Sequence, residues 1–310
     1  MNLKKSPIVF PIWGMTKQFL LLILTAIGET MNNKLKLAQR EWIKSQLRFI
    51  LLVFGISVFF WAVGPLAEKL LNKSIPVDLP LSSLMVISPI TASLICVYKQ
   101  EGSSGIAALI KRVVDFQRIE NKKWYVVIIL LMPSILLMEY LILNMMGGDL
   151  PKLNRPDFSL LVFIPIFFIA AVFEEIGWQG YVYDRLRIRL NALNASMLLG
   201  GIWALWHIIP LIQLQDSPTW IAWQTLNIFL TRILLVWIYE NTGKSVFGSI
   251  IFHMMVNVST VLMPKFGIPY DPAIFTLIIA ALVILIGIIW DPDNLSDHTW
   301  RKNIVKNQSS

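Results

Sequence analysis

FSLLVFIPIFFIAAVFEEIGW, residues 158–178, is an almost unbroken apolar run that closes on two adjacent acids, Glu174 and Glu175. At ~1.5 Å of rise per residue a helix of this length crosses a hydrocarbon core of ~30 Å. The stretch therefore reads as a membrane span, and it raises a question at the same time. An ionisable side chain in a span costs at least ~2.5 kcal/mol on insertion scales, so acids kept there are expected to have work to do.

Working outward, seven further runs have the same character, at approximately 47–66, 79–97, 124–144, 195–214, 220–239, 246–263 and 273–290. The whole chain fits that solvent. Of its 310 residues 56% are hydrophobic and only 15% are charged, well below the roughly 25% of soluble domains. The fold class expected is an all-α integral membrane protein, a bundle of about eight transmembrane helices with an intramembrane cavity. Its organisation reads as an N-terminal cytoplasmic or interfacial segment (1–45), one membrane domain (46–290) and a polar cytoplasmic tail (291–310), an exposed extension that opens on the turn signal Asp291-Pro292. No internal repeat relates two halves as in many transporters. Pro133 and Pro165 fall inside spans, where a surrounding bundle accommodates them.

Lys and Arg outnumber Asp and Glu by 27 to 19, yet this excess does not point to nucleic acid. It collects in short connections, as topology signals do. Lys34, Lys36, Arg40, Lys44 and Arg48 precede the first span, six basic residues between Lys99 and Lys123 fill the second connection, and Arg185, Arg187 and Arg189 follow the fourth span. With eight alternating spans these fall on one side together with Arg301, Lys302 and Lys306, whereas the opposite loops hold only Lys69, Lys73, Lys152, Arg155 and Lys265. The positive-inside rule then places both termini in the cytoplasm of a cell-membrane protein, with the bilayer as its permanent partner. The apolar run Phe19–Gly28 is too short to span and reads as an interfacial helix, with translation from Met31 as the alternative. Cys96 is alone and forms no intramolecular disulfide.

Four more polar residues share the spans with the glutamate pair. Trp203 and His207 are four apart, as are His253 and Asn257, so each pair projects from one helix face. By helical rise Glu174 lies roughly 5–10 Å below the cytoplasmic surface, His253 about 10 Å, Asn257 about 16 Å and His207 about 18 Å. The groups converge in that half of the bilayer. Glu174 and Glu175 point about 100° apart, so only one aims squarely into a common centre and their roles differ. Hydrolysis of a peptide bond needs a base for water, donors for the oxyanion and an acid for the leaving amine, capacities that Glu, His and Asn supply.

FEEIGWQGYVYDRL (173–186), GIWALWHIIPL (201–211) and SIIFHMMVN (249–257) together resemble, in order and content, the three motifs of the CPBP family of intramembrane endopeptidases, which includes type II CAAX prenyl proteases and the Abi proteins. The resemblance covers roughly residues 80–290. It implies an eight-helix bundle whose site opens to the cytoplasm. It further implies that Glu174 and His207 activate water, His253 and Asn257 stabilise the oxyanion, and Glu175 supports them. The family is described both as metalloproteases and as glutamic proteases. Glu174, His207 and His253 are candidate ligands for zinc or another divalent ion, but there is no H-E-x-x-H and no metal is expected to be obligatory. One departure stands out. Where the family pattern has arginine this chain has Gln179, which cannot replace the charge. Arg232, in the sixth span at about 10 Å depth, is placed to supply that cation to Glu175 or Glu174.

Simpler readings compete with these. A lone histidine in a span more often makes a helix-to-helix hydrogen bond than it catalyses, Trp178, Trp203 and Trp206 suit packing, and Gly177 and Gly180 suit close helix approach. Arg232 on its own suits snorkelling to the interface. Three functions remain: an endopeptidase acting on a peptide or membrane protein; a non-catalytic binding or bacteriocin-immunity member of the same family; and a proton-coupled carrier. A serine mechanism is disfavoured because Ser245 and Ser249 share the helix of His253 and lack an activating signature. No pattern in the chain fixes the substrate or the number of copies.

Overall fold

A backbone in hydrocarbon has no water to bond, so each apolar run must satisfy its own amides, and the helix does that within one segment. The computed structural model describes residues 33–71, 80–148, 150, 152, 154, 155, 157–214 and 217–296. Among them eight helices are long and apolar enough to cross a membrane, and no strand occurs. They are built on α1 (Asn33–Leu71), α2 (Ile87–Lys111), α3 (Lys123–Met145), α4 (Ser159–Gly177), α5 (Ala192–Leu214), α6 (Pro218–Asn241), α7 (Val246–Asn257) and α8 (Pro272–Ile289), and adjoining 3-10 and π-helical turns extend the spans of α2, α4 and α7 to Leu81–Val114, Ser159–Leu186 and Val246–Phe266. Each corresponds to one of the eight runs read from the sequence. The expected interfacial helix at Phe19–Gly28, the alternative start at Met31, Lys73 and the basic end of the tail lie outside the described residues.

The chain divides into residues 1–45 and 46–310. In the first unit the described residues are helical, and exposed Lys44 pairs with Glu41 at 2.8 Å. In the second, α5 packs on α6, α6 on α8, and α4 on both α2 and α7. The most enclosed spans are those of α6 and α7, with 56% of the apolar stretch buried in each, against 22% for α1 and 28% for α3 and α8. The inner pair is therefore where buried polar groups are expected.

Close approach is set by small residues. A Cβ on Gly177 would lie 2.5 Å from the Pro89 carbonyl oxygen, and one on Gly200 would lie 2.9 Å from that of Phe229. These glycines seat α4 against α2 and α5 against α6. Gly180 is less constrained, its nearest neighbour being Leu109 Cδ1 at 3.4 Å.

Three features depart from a plain reading of hydropathy. α2 is broken at Gly102, whose φ of 67° lies in the region that favours glycine. α4 and α7 each open into a π-helical turn, Trp178–Tyr183 and Val258–Leu262, directly after the residues of interest. The tail, expected to be an exposed extension, is in part packed: Leu295 is fully buried and the backbone carbonyls of Asp293 and Pro292 accept from the Ala192 and Leu193 amides at 2.9 and 3.2 Å. The reason is the helix terminus. The first amides of α5 have no intrahelical acceptor, and the tail supplies one.

The connections on the side where α4 and α6 end share a polar layer. Arg112 donates to the Gly180 carbonyl at 2.9 Å, to Asp184 at 2.7 Å and to Tyr239, whose hydroxyl donates to Asp184 at 2.7 Å. Tyr183 and Arg187 both donate to Glu240, at 2.7 and 2.9 Å. Asp115 caps α7, its carboxylate accepting from Ser245 Oγ at 2.8 Å and from the Phe247 amide at 3.0 Å.

Candidate active site

Four helices contribute. The last turn of α4 carries Glu174 and Glu175, α5 carries Trp203 and His207, α6 carries Arg232, and α7 carries His253 and Asn257. Glu174, Trp203, His207, His253 and Asn257 line one cavity of about 510 Å³. The two i, i+4 pairs thus face the same space.

The adjacent glutamates diverge. Glu174 faces the cavity and accepts one hydrogen bond, from the Trp203 indole nitrogen at 2.8 Å. Glu175 lies behind the wall, fully buried between two partners: Arg232 Nη1 at 2.8 Å from Oε2 and His253 Nδ1 at 2.8 Å from Oε1. The divergence follows from the ~100° between consecutive residues of a helix.

The imidazoles are oriented by what they touch. Nδ1 of His207 lies 2.8 Å from the Trp203 carbonyl oxygen, a group that only accepts, so Nδ1 carries the proton and Nε2 is left to act as acceptor. Nδ1 of His253 likewise meets the carboxylate of Glu175. Trp203 stands edge-on to both rings, with centroids 4.9 Å from His207 and 5.4 Å from His253, and fixes their separation. Asn257, one turn after His253, also lines the cavity.

Gln179 and Arg232 do not line the cavity. Arg232 is fully buried, which rules out snorkelling for this side chain, and its guanidinium carbon sits 3.9 Å from the centre of the Trp203 ring. Gln179 is also fully buried, and neither amide atom has a partner among the described residues. Trp178 and Trp206 pack in the interior, edge to face with centroids at 5.6 Å. Ser245 is spent as the N-cap of α7, its oxygen accepting from the Gly248 amide at 3.1 Å.

A metal would need several donors gathered at one point. Among the described residues no group of three His, Cys, Asp or Glu side chains is so arranged. Glu174, His207 and His253 do not form a ready three-ligand set.

The sequence reading passed over a second polar wall. Gln224, Asn227 and Thr231 recur along one face of α6 and line the cavity opposite the apolar Phe167 and Val256. Tyr270 donates to Gln224 at 2.5 Å and accepts from Asn227 at 2.8 Å, and Asn227 accepts from Thr231 at 3.1 Å. Burial pushes the Tyr270 hydroxyl above its ordinary range, which keeps it a donor at neutral pH. The spacing of three and four residues within an otherwise apolar span was the available signal. Glu139 was also passed over. It is fully buried in α3 and accepts from the Asp271 amide at the start of α8.

Fold and site together define a polytopic helical membrane protein with acids, imidazoles and an amide gathered around an internal cavity. Residues 156–259, which carry all of these groups except Tyr270 and Glu139, match the family described as Type II CAAX prenyl endopeptidase Rce1-like. The chain is 30% identical to CAAX prenyl protease 2 of Methanococcus maripaludis over 258 residues, 78% of this chain and 93% of that relative. It is 19% identical to lysostaphin resistance protein A of Staphylococcus haemolyticus over 247 residues, 76% of this chain and 65% of that protein. The chain belongs to the CPBP family of intramembrane endopeptidases, the family of the CAAX prenyl proteases.

Proposed function

We propose that the protein hydrolyses a peptide bond in a peptide or membrane-protein segment near the cytoplasmic face, with Glu174 and His207 activating water and His253 and Asn257 stabilising the oxyanion. The observation that carries this reading is the convergence of all four on a single cavity, with two histidines presenting Nε2 to it.

The chemistry follows from the partners. A water placed between Glu174 and His207 gives up a proton to the free carboxylate oxygen or to Nε2 of His207 as its oxygen attacks the scissile carbonyl carbon. Negative charge then develops on the carbonyl oxygen. Asn257 offers amide hydrogens to it, and the imidazolium form of His253, held through Nδ1 by Glu175, offers Nε2–H. The proton taken from water returns to the leaving nitrogen, and the C–N bond breaks. Enclosure strengthens each of these interactions relative to water.

For substrate, the first candidate is a prenylated CAAX terminus, by likeness to the archaeal relative. An apolar wall of Ile166, Phe167, Leu211 and Val256 accommodates hydrocarbon beside the polar groups. A non-catalytic immunity role is the second reading. The uncharged Gln179 and the likeness to the lysostaphin resistance protein favour it.

The deciding experiment compares new peptide termini in membranes carrying the wild type, Glu174→Ala or His207→Ala at equal folded abundance. Termini that vanish in both variants establish proteolysis and identify substrates. Unchanged termini with a retained cellular phenotype transfer the reading to binding. Activity is also expected to survive a strong chelator. Loss that zinc restores would make the metal part of the mechanism.

A further inference from the structure

Glu175, in the last turn of α4, and Gln179, four residues on in the π-helical turn that continues it, are both fully buried. One holds two partners, and the other has none among the described residues. The cation beside Glu175 arrives from a different helix. Arg232 on α6 is fully buried and spends Nη1 on Glu175, while Nε and Nη2 have no hydrogen-bond partner among the described residues. A buried guanidinium this incompletely satisfied is costly, so its retention calls for a reason beyond packing.

Its second contact supplies one. The guanidinium lies over the Trp203 ring at 3.9 Å, and the edge of that ring donates to Glu174 at 2.8 Å. Gly200, one turn before Trp203, brings α5 against α6 closely enough for this: a Cβ there would lie 3.5 Å from Arg232 Cβ. Arg232 therefore touches Glu175 directly and Glu174 through one side chain. Along the other branch it reaches His253, because Glu175 joins Arg232 and His253 with one oxygen each.

We propose that Arg232 is the positioning cation of the site, and that positions 179 and 232 are alternative seats for a single positive charge that orients Glu175, His253 and Glu174. Arg232 touches no reacting atom. It acts by holding Glu175 so that His253 faces the cavity, and by holding the Trp203 ring at the angle from which its nitrogen meets Glu174. From position 179, an arginine four residues after Glu175 would reach the same carboxylate along the helix. Two cations there would repel one another in a low dielectric, and none would leave Glu175 Oε2 buried without its charged donor. The catalytic part of this proposal rests on the endopeptidase reading, whereas the charge-seat part does not.

The test is a four-way comparison of wild type, Arg232→Gln, Gln179→Arg and the double variant, with Arg232→Lys as the conservative change. Two readouts are taken on full-length protein in detergent: the midpoint of thermal unfolding, and kcat and KM on a substrate identified by the terminus comparison. Each single variant is expected to lower the midpoint, and Arg232→Gln to lower kcat at least 100-fold with KM within threefold. The double variant is expected to exceed both singles in midpoint and to recover at least a tenth of the wild-type kcat. Arg232→Lys should retain more kcat than Arg232→Gln.

A double variant no more stable and no more active than Arg232→Gln overturns the proposal, as does Arg232→Gln with kcat within threefold of wild type. If Arg232→Gln fails to fold, the double variant still decides, since the charge-seat argument requires it to fold. If the wild type cleaves nothing, the endopeptidase reading fails by itself, and the coupling of unfolding midpoints still tests the exchange of charge.

Discussion

Glu174 and Glu175 are neighbours in the chain and strangers in the structure. Glu174 keeps one oxygen unpartnered at the cavity, while Glu175 spends both on Arg232 and His253. The sequence made the divergence readable, because consecutive helical residues cannot face one point. It could not say which glutamate would turn inward, since the phase of α4 is set by its packing on α2 and α7 and an all-round apolar run carries no phase of its own. At this scale the indole nitrogen of Trp203 is open to a clean test. Trp203→Phe keeps a ring and removes the donor to Glu174, a hydrogen bond to a charged group valued at about 1.5–3 kcal/mol. A fall of roughly 10- to 100-fold in kcat is expected, with a change of only a few degrees in unfolding midpoint. Breaking the Arg232–Glu175 pair from one side is the harsher change, about 3–5 kcal/mol, because the remaining charge stays buried.

Elements were legible where length alone decides and illegible where register does. The eight spans followed from runs of about 20 apolar residues, and the tightness at Gly177 from the rarity of a reason for glycine there. Gly177→Ala is expected to lower stability by about 1–3 kcal/mol, since its Cβ would meet a backbone carbonyl that cannot swing aside. Gly201→Ala, with nothing within 4 Å of its Cβ, should be neutral or stabilising by up to about 1 kcal/mol. Unfolding in detergent under one condition separates the two. The cap of α7 was hidden for another reason. Asp115 lies 130 residues before Ser245, and no local pattern announces an acid brought from so far to a helix start. Asp115→Ala removes acceptors for the Ser245 hydroxyl and two backbone amides, so about 1–3 kcal/mol should be lost, read as a lower midpoint.

For the whole molecule, the bilayer is part of the structure. Leu161 is 70% exposed and Ile288 is 76% exposed, positions that would be liabilities in water and are ordinary facing lipid. Leu161→Lys should impair insertion by up to about 3 kcal/mol, measured as the fraction that resists alkaline extraction from membranes. Hydropathy revealed the solvent and left the order of packing unreadable, since lipid-facing and helix-facing apolar residues look alike in sequence. It also misjudged the start of the tail. Polarity after Trp290 looked like exposure, whereas the first amides of α5 and the Asn241 side-chain amide at the end of α6 take their acceptors from residues 292–295.

The two π-helical turns carry one last consequence. Each follows immediately on a site-bearing segment, after Glu174 and Glu175 in α4 and after Asn257 in α7. A turn of this kind works like a slip joint in a drive shaft, taking up angular mismatch between two halves that must each mesh with different gears. Before the first joint α4 meshes with the cavity, while Gly180 within the joint and Asp184 just beyond it mesh with Arg112. The cavity end and the anchoring end are therefore each set in angle by their own partners, so a shift on one side of the joint need not be passed whole to the other.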